Sequence, residues 1–544
     1  MSISKKKRNY ASNALLYALF IVGAVVLVNL IGTRVFGRID LTEKRIYTLS
    51  PSSKALVKSL PDYLTVKAFI SKDLPPEIKR LSRDVRDKLD DYRSASGGRF
   101  RWDAVDPALD KKYEEEANRC KVNKVQIQKL SNSKFELGAY YLGLCLQYGD
   151  KTEAIPQIVS DAGLEYQLSS LIKRMTVKKK KIALTTGHGE FDFNQGLQAL
   201  KQDIEQEFDT TTVNPSSAEI GPDVDALVIA GPRQNIDEKG QREIDRFFMT
   251  GKGGVILAPG MVAQGAGARG MESIKMLQSN DNGLGKLLEA YGFKIGQEVV
   301  VDPQGAAPGV MDVGGGRRAL LTSPAFVAAA TERSPGVSVL EGLRGLIFPF
   351  ASPVELTGPL ANNNVPAGGK LWKIAASSPL SFKHSGFMMV SPEMKFDPAG
   401  KVQKSYAFGY VYQGPLKSAF VTEPAASVST ADKQPRSESQ KPVRLVVVGD
   451  AAFASDEWSQ LARFMPVFAA GAQLLYNSIG WTVEDEALIP LRSKTMDSRQ
   501  LPPVSERKAS VIQWLNILGL PVAFCIFGVL RWRIRRSNRA NQRL

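Results

Sequence analysis

The chain has 544 residues, 43% of them apolar and 23% charged, with a formal charge of +16. That is enough chain for two or three domains, each with its own core, and the mix of apolar residues and both charge signs excludes a small scaffold or a disordered chain. Ten of the sixteen excess charges sit at the ends, on Lys5, Lys6, Lys7 and Arg8 and on Arg531, Arg533, Arg535, Arg536, Arg539 and Arg543. The remainder is modest for the long middle and has no nucleic-acid-binding motif beside it, so no nucleic-acid partner is expected.

Tyr10 to Thr33 carries no charge, and Ala14 to Ile31 is almost wholly apolar. This predicts a transmembrane helix over 11–33 after a basic tail at 1–10. A cleaved signal peptide is the competing reading, but the run is long and continues into Gly32-Thr33-Arg34-Val35-Phe36 without a small-residue cleavage site. A second apolar run, Val511 to Leu530, predicts a span over 511–530; membrane helices tolerate a proline such as Pro521. The alternative of a buried core helix fits poorly with the arginines that follow at once. Basic residues flanking a span stay in the cytoplasm, so both termini are expected inside a bacterial inner membrane and the middle in the periplasm.

Between the spans, 34–178 opens with a helix start at Ser50-Pro51, a strand at Leu64 to Ile70 and a helix from Pro76 to Ser94 that places Ile78, Leu81, Val85 and Leu89 on one face. A strand at Phe100 to Val105 follows, and then Tyr140 to Gln147 and Lys151 to Ile155 pair as a hairpin across Gly149-Asp150. This β-α-β-β order suggests a thioredoxin-like α/β domain, without the Cys-x-x-Cys of a redox centre. Cys120 and Cys145 could form a disulfide in an oxidising compartment, but a buried free thiol is the plainer account of Cys145 within its apolar strand.

The basic run Lys178 to Lys181 reads as a solvated linker rather than a phosphate site, and it opens a second unit over 179–480. Strands at Lys181 to Thr185, Ala226 to Ala230 and Gly254 to Ala258 alternate with helices at Gly196 to Phe208 and Asp237 to Met249, and Arg444 to Val448 adds a later strand. Alternation of this kind predicts a parallel sheet covered by helices. The segment 260–440 is rich in Gly, Pro and Ser and reads as a long insertion, with 423–442 an exposed, mobile loop. A linker at 481–510 and a basic tail at 531–544 complete the chain.

Chemistry-bearing candidates are few. Only two histidines are present, His188 and His384, too few for a histidine metal cluster. His188 lies in Gly187-His188-Gly189-Glu190, just past the carboxyl end of a strand, where open α/β sheets bind ligands; a hydrogen-bonded turn histidine is the bland alternative. Asp450 follows another strand as a ligand contact or, more plainly, a turn or capping residue. Gly265-Ala266-Gly267-Ala268-Arg269-Gly270 matches G-x-G-x-x-G but neither follows its strand nor opens a helix, so it reads as a loop. There is no Walker motif and no G-x-S-x-G elbow, and no cofactor or metal site is expected.

Several short motifs together resemble the auxiliary, substrate-binding-like components of ABC transport systems typified by the gliding-motility protein GldG. They include Asp40-Leu41-Thr42-Glu43-Lys44-Arg45 with Tyr47-Thr48-Leu49-Ser50, Ile70-Ser71-Lys72-Asp73-Leu74-Pro75, and Thr186-Gly187-His188-Gly189-Glu190. Phe247 to Pro259, Gly283 to Leu288 leading to Tyr291-Gly292, Val301-Asp302-Pro303 and Val448-Gly449-Asp450 extend the likeness over nearly the whole chain. The resemblance implies a flavodoxin-like or class I glutamine-amidotransferase-like second domain lacking the catalytic cysteine; the Gly/Ala-rich stretch 260–318 departs from the family pattern. It further implies a non-enzymatic subunit beside an ABC-2-type permease and a cytoplasmic ATPase. Two other readings stand next to it: an envelope hydrolase acting through His188, Glu190 and Asp450, and a structural tether. The expected recognition site is Gly187, His188, Gly189 and Glu190 with Asp450.

Overall fold

The computed structural model describes residues 19–24, 27, 48–131, 134–161, 163–265, 275–312, 318–331, 337–343, 345–362, 364–386, 388–390, 395–420, 436–463, 465–483 and 506–541. They fall into two units, Met1–Thr495 and Met496–Leu544.

The first unit begins with helix α1 (Pro51–Lys58), whose N-cap Ser50 accepts the amide of Ser53 while Pro51 supplies a ready-made first helical φ. Strand β1 (Leu64–Ile70), helix α2 (Pro76–Ala95), strand β2 (Phe100–Val105), helix α3 (Lys111–Arg119), strands β3 (Lys124–Ser131), β4 (Lys134–Tyr148) and β5 (Lys151–Ile155), and helix α4 (Leu164–Thr176) follow. β1 pairs with β2 in parallel and with the end of β4 antiparallel, and β5 closes the predicted hairpin on β4. Because strand side chains alternate, Leu64, Val66, Ala68 and Ile70 all reach the core shared with Val85, Leu89 and Tyr92 of α2 and Leu168 and Ile172 of α4. The opposite face gathers Phe69, Ala117, Val122, Tyr141 and Cys145.

That second face corrects the expectation of a free Cys145 thiol. Cys120 and Cys145 are joined by a disulfide, with Cα atoms 5.9 Å apart, inside the span that such a bond requires. Helix α3, absent from the sequence-based outline, ends at Cys120 and lays it over β4. Closing a loop of 25 residues stabilises the fold by roughly 3 kcal/mol in the chain-entropy account.

The large sheet of the same unit is built from β6 (Lys180–Thr185), β7 (Phe208–Val213), β8 (Ala226–Ala230), β9 (Gly253–Leu257), β10 (Lys370–Ala376), β11 (Ala407–Gly414) and β12 (Val443–Val448), in the spatial order β10-β11-β12-β9-β8-β6-β7. β7, β6, β8, β9 and β12 run parallel; β11 is antiparallel to β12, and β10 to β11. Numbered along the chain, the parallel strands stand in the order 2-1-3-4-5, so chain direction across the sheet reverses between β6 and β8.

Every residue of β8 and β9 is buried, as expected for parallel strands covered on both faces. Ile182, Leu184, Val228, Val446 and Val448 point to one side, toward helices α5 (Gln198–Glu207) and, at the end of the unit, Ala469–Thr482. Ala183, Leu227, Ile229, Leu445 and Val447 point to the other, toward helices α6 (Glu238–Met249) and α7 (Gly285–Ala290). Each fully buried aliphatic side chain contributes about 1.5–3 kcal/mol.

Between β9 and β12, apart from β10 and β11, the described strands form small antiparallel sheets, notably Ala306–Asp312, Arg318–Ala330 and Gly345–Pro349 in one sheet. These carry their own apolar clusters, around Phe326, Ile347 and Trp458 and around Leu277, Val299 and Phe382. Gly265 ends the strand Met261–Gly265, while the rest of its glycine motif, 266–270, and most of the predicted loop 423–442 lie outside the described residues, as does most of the predicted span 11–33. Leu19 to Ala24 and Leu27 are helical and exposed.

The described residues of the second unit form one helix, Glu506–Asn541, about 54 Å long at the usual rise. Its stretch Ile517–Ile534 has mean hydropathy 1.7 and no buried residue, and it is the one helix long and apolar enough to cross a membrane among the described residues.

Candidate functional site

The site lies where β6 and β8 part, the position at which doubly wound sheets open a crevice at their carboxyl edge. β6 ends at Thr185, and the amide of Thr186 still bonds the carbonyl of Val213 in β7. The chain then turns through Gly187, with φ +100°, where a Cβ would stand 2.3 Å from Asn214 Nδ2. Only glycine fits both demands without strain.

The turn is tied down on both sides. The carbonyl of His188 accepts the amides of Arg233 (2.8 Å) and Gln234 (2.9 Å) from the loop after β8. The amide of His188 donates to Glu190 Oε2 at 2.7 Å, and the imidazole Nδ1 lies 3.3 Å from Glu190 Oε1. On its other side Nε2 lies 3.0 Å from Ser216 Oγ, and that hydroxyl donates to Asp237 Oδ1 at 2.6 Å. Asp237 is the N-cap of α6, accepting the amide of Gly240. The Ser216 hydroxyl, with the Gly240 amide, holds the Asp237 carboxyl below its usual range.

Ser216, His188 and Glu190 therefore form a hydrogen-bonded row that looks like an acyl-transfer triad. Proton counting gives it a different character. The single proton of Ser216 is directed at Asp237 Oδ1, and while it is so engaged it is not offered to Nε2, as a nucleophile's proton has to be. The amides of Ser216, Ser217 and Ala218 are not offered to an oxyanion there, since they all point back to Asn214 oxygens, at 3.0, 3.1 and 2.9 Å.

Of the residues singled out in the sequence, Gly187, His188, Gly189 and Glu190 are thus brought together, with His188 and Glu190 buried. Among the described residues no hydrogen bond joins Asp450 to this group; it follows β12, which stands three spacings from β6, about 14 Å at ordinary strand spacing. Its Oδ1 accepts the amide of Ala452 at 2.7 Å, while Oδ2 is buried without a hydrogen-bond partner. Burial pushes its carboxyl up to about 7 against the backbone hydrogen bonds that lower it. His384 sits in the strand Phe382–His384, its ring edge-on to Phe396.

Ser216, Asp237 and Arg233 were missed. A signal for them exists, since Asn214-Pro215-Ser216 and Gly231-Pro232-Arg233 each follow a strand, but the strand leading to Ser216, β7, is polar and was not recognised. Three of the four lysines at 178–181 are engaged: Lys179 Nζ donates to the carbonyl of Glu205, Lys180 meets Asp225 and Lys181 meets Asp223. Beside the turn lies an open cleft of about 410 Å³, with Glu190, Phe191, Gln195, Arg233, Gln234 and Gln278 in its walls.

The strand order and the turn define a doubly wound α/β protein with an open cleft beside its switch point. Residues 179–478 match the family described as an ABC-type uncharacterized transport system, and the chain belongs to this family of transport auxiliary components. Residues 43–147 match a domain of unknown function, DUF7088. An uncharacterized protein of Borreliella burgdorferi is 21% identical over 271 residues, 49% of this chain and 51% of the relative, so the chain spans about half the length of the curated relative it matches. Among solved structures, the mmIFT52 N-terminal domain is similar over 56% of this chain and 97% of its own, at 13% identity and a TM-score of 0.32, a likeness too low to carry an argument.

Proposed function

We propose that this protein is a membrane-anchored, non-catalytic auxiliary subunit of an ABC-2-type transporter, working beside a separate permease and a separate cytoplasmic ATPase. The observation that carries this reading is the switch-point turn, where Gly187, His188, Gly189 and Glu190 are locked beside an open cleft while the neighbouring hydroxyl has its proton engaged elsewhere. Such a site suits recognition of a substrate, an envelope component or a partner protein better than turnover. Membership of a transport family supplies the context.

The Cys120–Cys145 disulfide supports an oxidising, periplasmic setting for the middle of the chain. The apolar run Ile517–Ile534 and its arginines support a C-terminal span with a cytoplasmic tail, and the uncharged Tyr10 to Thr33 supports a matching span at the start, in a bacterial inner membrane. On this reading 34–178 is a thioredoxin-like domain. The strand order 2-1-3-4-5 supports a flavodoxin-like or amidotransferase-like domain over 179–480, with 260–440 inserted in it. A GldG-like role, including gliding motility, belongs to the same reading.

Purification of the tagged intact protein from membranes is expected to bring down a multi-span permease and an ATPase, and a reporter fused at residue 250 is expected to report from outside the cytoplasm. A cytoplasmic signal at 250, or purification without either subunit, would overturn the proposal. The row Ser216, His188 and Glu190 favours a second reading, an envelope hydrolase working without Asp450. Cleavage of 4-nitrophenyl acetate or peptidoglycan by the purified protein, lost in Ser216→Ala, would establish that reading instead.

A further inference from the structure

The cleft beside the turn also constrains the chemistry of what it holds, an inference that rests on the recognition reading above. Glu190 lends it no available charge: its side chain has no exposed surface, and both carboxylate oxygens face His188. Arg233 is different. Its guanidinium lies 4.9 Å from the centre of the Phe191 ring, and among the described residues no carboxylate comes within ion-pair distance of it. The same backbone bond that closes the turn, from the Arg233 amide to the His188 carbonyl, sets the position of this side chain. Gly189 lets its stem approach, since a Cβ there would stand 3.3 Å from Arg233 Cβ. Gln195 and Gln234 add primary amides, each able to donate and accept.

We propose that this cleft binds a small ligand bearing an oxyanion, a carboxylate or a phosphate, with Arg233 as its ionic partner and the glutamine amides reading the uncharged polar part. A guanidinium offers a planar fork that meets either group through two parallel hydrogen bonds. Held against an aromatic face, it loses less freedom when it does so. With the cleft's carboxylate turned away, an anionic ligand meets the guanidinium without a competing carboxylate in the cleft wall.

The test is calorimetric titration of the full-length protein in detergent micelles with citrate, glucose 1-phosphate and glucose, at low salt. Citrate or glucose 1-phosphate is expected to bind and glucose not; whichever anion binds identifies the source of the charge. Arg233→Gln is expected to abolish binding, and Arg233→Lys to weaken it at least tenfold, because an ammonium keeps the charge and the ring contact but not the fork. Both variants are expected to keep the unliganded melting temperature, and added salt to weaken the wild-type interaction. Glucose binding as well as the anions, binding that survives Arg233→Gln, or no binding of either anion at millimolar concentration overturns the proposal. If neither anion binds but the protein still co-purifies with a permease and an ATPase, the anion proposal falls and the auxiliary-subunit reading stands; anion binding without those partners gives the converse.

Discussion

The first parallel strand leaves the sheet through Thr185-Thr186-Gly187-His188, and the fifth through Val448-Gly449-Asp450-Ala451, each passing a glycine and then a polar side chain at the same carboxyl edge. At the first, His188 and Glu190 satisfy each other and reach Ser216. At the second, one oxygen of Asp450 is left buried and bare. The difference comes from neighbours. β6 stands between β7 and β8, whose loops bring Asn214, Ser216, Arg233 and Gln234 to its turn. β12 stands between β9 and the antiparallel β11, and its turn meets backbone: the Gly449 amide bonds the Phe408 carbonyl, and the Gly449 carbonyl accepts the amide of Ser352. Similar strand ends acquire different chemistry from what the adjacent strands deliver.

The largest effect that would sharpen this contrast is at Asp450. Its folded carboxyl titrates at about 7 against an ordinary 3.8, so the folded state holds a proton that the unfolded chain releases. Its contribution is therefore favourable below about pH 4, is lost as pH rises, and becomes a full penalty above about pH 7. Asp450→Asn is expected to remove a cost of roughly 4 kcal/mol at pH 8 and to flatten the dependence between pH 5 and 8. Thermal melts of both proteins at the two pH values check it; an equal loss of stability at both would show that Oδ2 has a partner after all.

At the opposite turn, Glu190→Ala is expected to destabilise by about 3 kcal/mol, because it strands the buried His188 amide and ring nitrogen together. Denaturant unfolding measures this, and a change no larger than that of a surface substitution would break the contrast. Gly187→Ala should cost about 2 kcal/mol through its positive φ and the crowding of Asn214. The smallest expected effect is that of Ser216→Ala, about 1 kcal/mol, since Asp237 keeps its bond to the Gly240 amide and still caps α6. A loss as large as that of Glu190→Ala would mean that the hydroxyl, and not the carboxylate, anchors the row.

Four of the five parallel strands, β6, β8, β9 and β12, were readable as short continuous apolar runs, and the helices α5 and α6 through their 3.6 period, because these are local properties of the chain; the polar β7 was not. The insertion was not, since its strands are separated by glycine-rich stretches and bury their apolar faces only against distant segments such as Trp458. The same division runs through the site. Gly187-His188-Gly189-Glu190 could be placed at a strand end because glycine, histidine and glutamate within four residues announce a polar turn. Ser216, Asp237 and Arg233 could not be joined to it without knowing that β7 and β8 flank β6, a pairing set by which faces bury best and not by any short motif. The cysteines follow the same logic: their presence is a matter of sequence, but only helix α3 packing over β4 brings Cys120 to Cys145. Apolar spans, local periods and tight turns are encoded in neighbouring residues, whereas a proton's destination and a carboxylate's solvation depend on groups that folding brings from far along the chain.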